Sequence, residues 1–211
     1  MADQSHGKRF EDFVKASGLF PGSADQGRSP TSGFDIEARF DRERGLPTSV
    51  KTTGNKVVAL SDARRFFDKG GPYRMIVGRY LQVADRKEFA EVHEFILTPQ
   101  ALAYLQGSLT SQVVNDFHNG LLLSRFPLGA HVEARRWARE QRSLLAARAT
   151  QIVLNPKVDS QSQRRLQCSV SLASLSEAAR SFGEYRLHAE SFGNWVLPIV
   201  QNSPRRRFKP R

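Results

Sequence analysis

The segments Gly33-Phe-Asp-Ile-Glu37 and Pro47-Thr-Ser-Val-Lys51 decide the fold that we predict for this chain. Each segment predicts a short strand, because apolar residues alternate with polar ones or the residues are β-branched. The charged residues between the segments predict a turn. The two strands would bring an acid, Asp35, close to a lysine, Lys51.

The remaining pattern alternates between helical and strand-like periodicity, and it predicts an α/β (α+β) fold with a central mixed β-sheet flanked by helices. No linker interrupts the sequence, so we predict one domain over residues 1–211, ending in a basic tail at about 204–211. Strands are predicted at 34–40, 49–53, 56–60, 73–83, 91–97, 151–154 and 166–172, and helices at 4–17, 99–106, 108–118, 132–149 and 174–182, with another helix capped by Ser61 and ended by Gly70.

The chain is strongly basic. It has 32 Lys and Arg residues against 21 Asp and Glu residues, which gives a formal net charge of +11. Such an excess predicts a polyanionic partner, and nucleic acid is the partner that we expect. An anionic membrane surface is the competing interpretation, but no long basic amphipathic helix stands out. Abundant arginine from a GC-rich genome is the other alternative.

Several classes of protein are disfavoured by what the sequence lacks. Cys168 is the only cysteine, so an intramolecular disulfide or a cysteine-cluster zinc site is excluded. There is no Walker loop, no G-x-G-x-x-G and no H-E-x-x-H, so we expect no nucleotide cofactor. No apolar run approaches the roughly 20 residues of a membrane span. We therefore expect a cytoplasmic protein without a membrane partner.

The acid and the lysine suggest phosphodiester hydrolysis. Mg²⁺ prefers oxygen ligands, commonly one or two carboxylates together with phosphate and water. A nearby lysine can orient or deprotonate the attacking water and offset phosphate charge. Glu11, on the predicted first helix, is a further carboxylate that could reach such a site.

This pattern resembles the PD-(D/E)xK nuclease superfamily, which includes type II restriction endonucleases, Mrr-like enzymes and archaeal Holliday junction resolvases. The resemblance implies that Asp35 binds the metal, that Lys51 is the catalytic lysine and that Glu11 assists metal binding. Phe34 stands where the family often has proline. The motifs that carry the resemblance are Gly7-Lys-Arg-Phe-Glu11, Gly33-Phe-Asp35, Ser49-Val-Lys51 and the helix start at Ser61-Asp62.

The main departure from the family is Ser49, which stands where an Asp or Glu is usual. A serine hydroxyl is a neutral and weaker ligand, although we still count Ser49 among the candidate catalytic residues. The resemblance then implies that the metal depends on Asp35, Glu11 and the carbonyl of Val50. Glu37 is two residues after Asp35, hence on the same face of the predicted strand, and could supply a relocated carboxylate.

Candidate DNA-contacting residues lie elsewhere in the chain. Arg and Gln side chains can hydrogen-bond to guanine and adenine edges in a major groove. The predicted helix at 132–149 is also rich in arginine, and DNA contact and a solvated charged surface are both open interpretations of it. We assign DNA contact to Arg64, Arg65, Gln163, Arg164, Arg165 and Gln167.

We therefore predict a type II restriction endonuclease that hydrolyses double-stranded DNA at a short specific sequence with Mg²⁺. A homodimer is expected, since two-fold protein symmetry matches palindromic sites. The alternatives are a structure-specific nuclease of the junction-resolving or repair type, and a non-catalytic nucleic-acid-binding protein. In the last case Asp35 would merely cap a loop and Lys51 would be a surface cation on an edge strand.

Overall fold

A computed structural model describes residues 5–25, 33–146 and 148–202. The predicted basic tail at 204–211 lies outside these residues. The helices are α1 Ser5–Lys15, α2 Ala63–Phe67, α3 Pro99–Gln106, α4 Ser111–Gly120, α5 His131–Ala146 and α6 Leu172–Phe182. The strands are β1 Thr48–Thr53, β2 Val57–Asp62, β3 Tyr73–Val83, β4 Arg86–Leu97, β5 Ile152–Val158, β6 Arg164–Ser171, β7 Glu184–His188, β8 Ser191–Phe192, β9 Trp195–Val196 and β10 Ile199–Asn202.

The described residues divide into two compact units. The first unit comprises the described residues within 1–56, 72–97 and 183–211, and the second unit comprises those within 57–71 and 98–182. The fold is mixed α+β, with a curled mixed central sheet flanked by helices, which confirms the predicted fold class. The prediction of one domain over 1–211, made because no linker interrupts the sequence, stays a prediction.

The first unit is organised around a five-stranded sheet with the order β1-β3-β4-β10, in which β7 also pairs with β4. β1 runs parallel to β3, whereas β4 is antiparallel to β3, β7 and β10. Helix α1 packs against this sheet through Phe10, whose ring stacks on Phe89 with centroids 4.7 Å apart. A Cβ atom at Gly78 would lie 2.5 Å from the Phe10 ring, so the close approach of α1 requires glycine there.

The second unit holds the antiparallel sheet β2-β6-β5 and the helices α2 to α6. Helix α3 begins as its sequence predicts: the Thr98 side chain accepts a hydrogen bond from the Ala101 N–H, and Pro99 occupies the first turn. Helix α5 packs against β5, with Ala134 and Ala138 buried. Within the described residues, no helix is both long and apolar enough to cross a membrane.

Two predictions about elements were wrong, and four strands were missed. Residues 34–40 form no strand: Ile36 makes one isolated bridge to Thr48, and Ala38–Phe40 is a 3₁₀ turn. The chain turns there because Ile36 is the residue that inserts into the core, while Glu37 and Arg39 are exposed. Helix α2 is capped by Asp62 rather than Ser61, since the Asp62 carboxylate accepts the Arg65 N–H. The strands β7 to β10 were not predicted.

Candidate active site

Asp35 is held against the outer edge of β1 by backbone hydrogen bonds. Its N–H and that of Ile36 both donate to the Thr48 carbonyl at 3.0 Å, and the Thr48 N–H donates to Ile36 O at 2.8 Å. The Asp35 side chain then turns along the strand, and its Oδ2 accepts the Val50 N–H at 2.7 Å. A carboxylate that accepts a backbone N–H in this way has a defined orientation.

Lys51 meets Asp35 at this edge. The Lys51 Nζ donates to Asp35 Oδ2 at 3.1 Å and to the Val50 carbonyl at 2.9 Å. The side chains of Lys51 and Asp35 are 17% and 27% exposed, so both are in contact with solvent. The ammonium therefore lies between two oxygens, one from Asp35 and one from Val50, that the sequence predicts as metal ligands.

Ser49 contributes little to this arrangement as it stands. Its side chain is buried, and its Oγ lies 3.4 Å from Asp35 Oδ2. That separation is long for a hydrogen bond between two oxygen atoms. The serine therefore provides only a weak hydrogen-bond donor beside Asp35.

Glu11 is engaged with a lysine of its own helix. α1 packs against β1, and both Glu11 and Lys15 are buried. Lys15 Nζ lies 3.1 Å from Glu11 Oε1, an i,i+4 pair on one side of the helix. The sequence Glu11-Asp-Phe-Val-Lys15 carries the signal for this pair, which our sequence analysis missed.

Glu37 is not aligned with Asp35 as the predicted strand required, so the structure does not support it as a relocated metal-binding carboxylate. Because residues 34–40 form no strand, Glu37 does not follow the alternation that would align it with Asp35. Its exposed carboxylate pairs with Arg39 at 3.0 Å. Among the described residues, no group of three or more His, Cys, Asp or Glu side chains is placed to hold a metal ion.

The donor atoms at the β1 edge nevertheless fit Mg²⁺. The Asp35 carboxylate and the Val50 carbonyl are hard oxygen ligands, and both already contact one cationic group, the Lys51 ammonium. Mg²⁺ commonly takes one or two carboxylates and completes its shell with water and phosphate. Asp35 and Val50 would hold such an ion, and Glu11 is the remaining candidate ligand.

A buried arginine that was not predicted from the sequence, Arg74, holds the turn before β1 in place. The Arg74 guanidinium is buried on β3 and lies 3.1 Å from Asp41, 3.2 Å from Glu43 and 2.7 Å from Glu94. Its backbone N–H also donates to Pro47 O at 3.0 Å. Arg74 thereby fixes the turn that connects Asp35 with β1.

The predicted DNA-contacting residues differ in their surroundings. Arg64 and Arg65 on α2 are exposed, as are Gln163 and Arg165, and Gln167 is half-buried. Arg164 is only 8% exposed, and its Nη1 donates to the carbonyls of Asp159 and Gln163, both at 3.0 Å. Arg164 is thus not placed as a base-reading side chain on the surface.

Comparisons with protein-family models, with curated proteins and with solved structures found no match for this chain. Its function therefore has to be inferred from its own residues.

Proposed function

We propose that this chain is a Mg²⁺-dependent endodeoxyribonuclease of the PD-(D/E)xK type. The observation that carries the proposal is the contact of Lys51 Nζ with Asp35 Oδ2 and the Val50 carbonyl, at 3.1 and 2.9 Å. An acid, a strand carbonyl and a lysine that meet at one partly exposed strand edge form a set of groups suited to phosphodiester hydrolysis.

Each residue has a definite role in the proposed reaction. Asp35 and Val50 hold the ion, with Glu11 as a further ligand. When bound, Mg²⁺ neutralises charge on the phosphate and lowers the pKa of a coordinated water. Lys51 then directs its ammonium to the attacking water or the scissile phosphate, where it positions a proton and offsets negative charge.

The substrate that we propose is double-stranded DNA, cut at a short specific sequence by a type II restriction endonuclease. The net charge of +11 supports a polyanionic substrate. The lack of an ATPase motif in the sequence suits an enzyme that cuts on its own. A homodimer is part of this proposal, because a two-fold axis would place one strand-edge site on each DNA strand.

A digest of a fully sequenced plasmid tests this proposal. With Mg²⁺ we expect discrete fragments whose ends share one sequence, and with EDTA we expect intact DNA. A smear, or cleavage confined to branched substrates, would instead support a structure-specific nuclease. The absence of any Mg²⁺-dependent cleavage of supercoiled, linear and branched DNA would refute the nuclease proposal.

A non-catalytic nucleic-acid-binding protein is the second candidate, and two observations favour it. Ser49 supplies a neutral hydroxyl where a second acid is usual, and Glu11 is already paired with Lys15. This candidate predicts salt-sensitive DNA binding, with a log–log slope of about −0.9 per phosphate neutralised. It also predicts that Mg²⁺ leaves the DNA uncut.

A further inference from the structure

The second unit contains a groove of about 570 Å³ between helix α5 and strand β5. One wall is formed by Arg135, Arg139 and Arg142 of the helix, and the other by residues 155–158 of the strand, including Lys157. Among the strands that the structure describes, β5 pairs with β6 alone, so it is the edge strand of the sheet β2-β6-β5. The groove is therefore open along one side of this small sheet.

The described residues that line the groove include four cations and no acid. Arg135 is fixed at the strand edge, because its Nε donates to the Val158 carbonyl at 3.1 Å. Asp159, the acid next in sequence, is used locally: its Oδ1 accepts the N–H groups of Gln161 and Gln163 at 2.9 and 2.8 Å. The positive charge in the groove thus lacks an acidic partner within its own lining.

Buried Arg164 adds a second, independent observation. Its Cα lies opposite Val158 in the antiparallel β5–β6 pair, so the two side chains are on the same face of the sheet. Arg164 is only 8% exposed, yet its Nε and Nη2 have no hydrogen-bond partner in the described structure. A buried guanidinium with unpaired N–H groups is costly. Arg164 does not itself line the groove, but it adds a further buried positive charge beside Val158, which does.

The spacing along α5 suits a phosphate backbone. Arg135, Arg139 and Arg142 follow one another at i, i+4 and i+7, so they share one face of the helix. The seven residue steps from Arg135 to Arg142 span about 10 Å of helix axis. An arginine face of that length is long enough for the three guanidinium groups to contact more than one phosphate of a DNA strand, whose charges repeat about every 3.4 Å along the duplex axis.

We propose that this groove binds the sugar–phosphate backbone of DNA. The identity of the polyanion rests on the proposed function, whereas binding to the groove can be measured without any cleavage. The arginines would pair with phosphate oxygens, for which the guanidinium geometry is well suited. The groove would contribute affinity and orientation rather than sequence preference.

The test compares two double variants of the full chain that remove the same charge. Arg139→Gln/Arg142→Gln removes cations from the groove. Arg136→Gln/Arg180→Gln removes two exposed cations of the same unit that do not line it. Fluorescence anisotropy with a short labelled DNA duplex in EDTA measures the Kd at salt concentrations from about 50 to about 200 mM. Lys157→Gln serves as an independent variant on the strand side of the groove, and thermal melting shows that each variant folds.

For the groove double variant we expect a Kd about tenfold higher and a salt slope shallower by about 1.8, from two contacts at about 0.9 each. We expect a smaller rise in Kd from Lys157→Gln. Equal Kd values and slopes for the two double variants would overturn the proposal. So would a groove variant that binds DNA normally but has lost binding to phosphatidylserine vesicles, because the ligand would then be an anionic membrane surface.

The result of the groove-binding test can be distinguished from the result of the DNA-cleavage test. If the groove variant loses DNA binding while the unmodified chain never cuts DNA with Mg²⁺, the groove proposal stands and the nuclease proposal fails. If the unmodified chain cuts DNA and both double variants bind equally, the nuclease proposal stands and the groove proposal fails.

Discussion

The Lys51 ammonium lies 3.1 Å from the Asp35 carboxylate, although the two residues are 16 positions apart in the chain. This contact requires the edge of β1 and the turn before it to be fixed together. Arg74 provides that restraint, because its side chain binds Asp41 and Glu43 in the turn and its N–H binds Pro47. The proximity of Asp35 and Lys51 therefore follows from the tertiary structure.

Replacing either residue should greatly slow cleavage. We expect Asp35→Asn and Lys51→Ala each to lower the cleavage rate by at least about 10²-fold, since each removes a ligand or a proton-positioning group. DNA binding should largely persist in EDTA. Lys56→Ala is the matched control, because Lys56 is an exposed lysine of the same unit. Plasmid nicking assays measure the rates, and full activity in either variant would contradict the assignment.

The neutral residue at position 49 gives a test that does not depend on turnover. Ser49→Asp would place a second, buried carboxylate beside Asp35, and like charges at this distance repel each other. We expect a lower Tm than that of the unmodified chain without divalent ions and a larger rise in Tm on adding Mg²⁺, because the ion binds the folded state. Ser49→Ala is the control. Equal Mg²⁺ responses in all three proteins would argue against a metal position here.

The Glu11–Lys15 pair allows stability to be separated from metal binding. Glu11→Gln leaves the Lys15 ammonium buried without its partner, which should lower the free energy of unfolding by about 3 kcal/mol or more. Glu11→Gln/Lys15→Met should recover much of that loss, as urea denaturation would measure. If Glu11 is a ligand, the double variant folds but responds more weakly to Mg²⁺. An unchanged Mg²⁺ response would restrict Glu11 to a structural role.

The stability of the first unit should depend on acid pH through Glu94. Burial opposes ionisation, but the hydrogen bond with His188 and the charge of Arg74 outweigh it, and together they lower the pKa of Glu94 from 4.5. A carboxyl group with a lowered folded-state pKa contributes stability above about pH 4.5 and loses it as the pH falls through the folded value. Glu94→Gln should therefore flatten the decline of stability below that pH. An identical pH profile for the variant, from urea denaturation, would contradict this role.

The bounds of helices and strands could be predicted from the sequence where apolar runs or helix-capping residues mark them. The bounds of β3 were predicted from its long apolar run, and those of α3 from Thr98 and Pro99. The element predictions failed where contacts between distant parts of the chain determine the local structure. Phe34 to Phe40 alternates like a strand, yet Ile36 alone bridges to β1. β7 is largely exposed, β8 and β9 have two residues each, and the buried positions of β10 include the polar Gln201, so no apolar period marks these strands.

The site shows the same division. The proximity of Asp35 and Lys51 was predicted from a sequence motif, because the acid and the lysine of that motif are expected to lie close together in the fold. The Arg74 cluster could not be anticipated, since its acids come from the turn and from β4, far apart in sequence. Sequence spacing carries no information about such a cluster.

The parallel pairing of β1 with β3 has a consequence for anyone who wishes to divide this molecule. A parallel pair needs a crossover, and the chain between Lys56 and Pro72 that provides it belongs to the second unit. A truncation that removes the second unit would also sever the link between Lys51 and the strand beside it. Gene fragments cannot isolate the strand edge from the arginine groove, so their contributions have to be dissected by point substitution in the intact polypeptide.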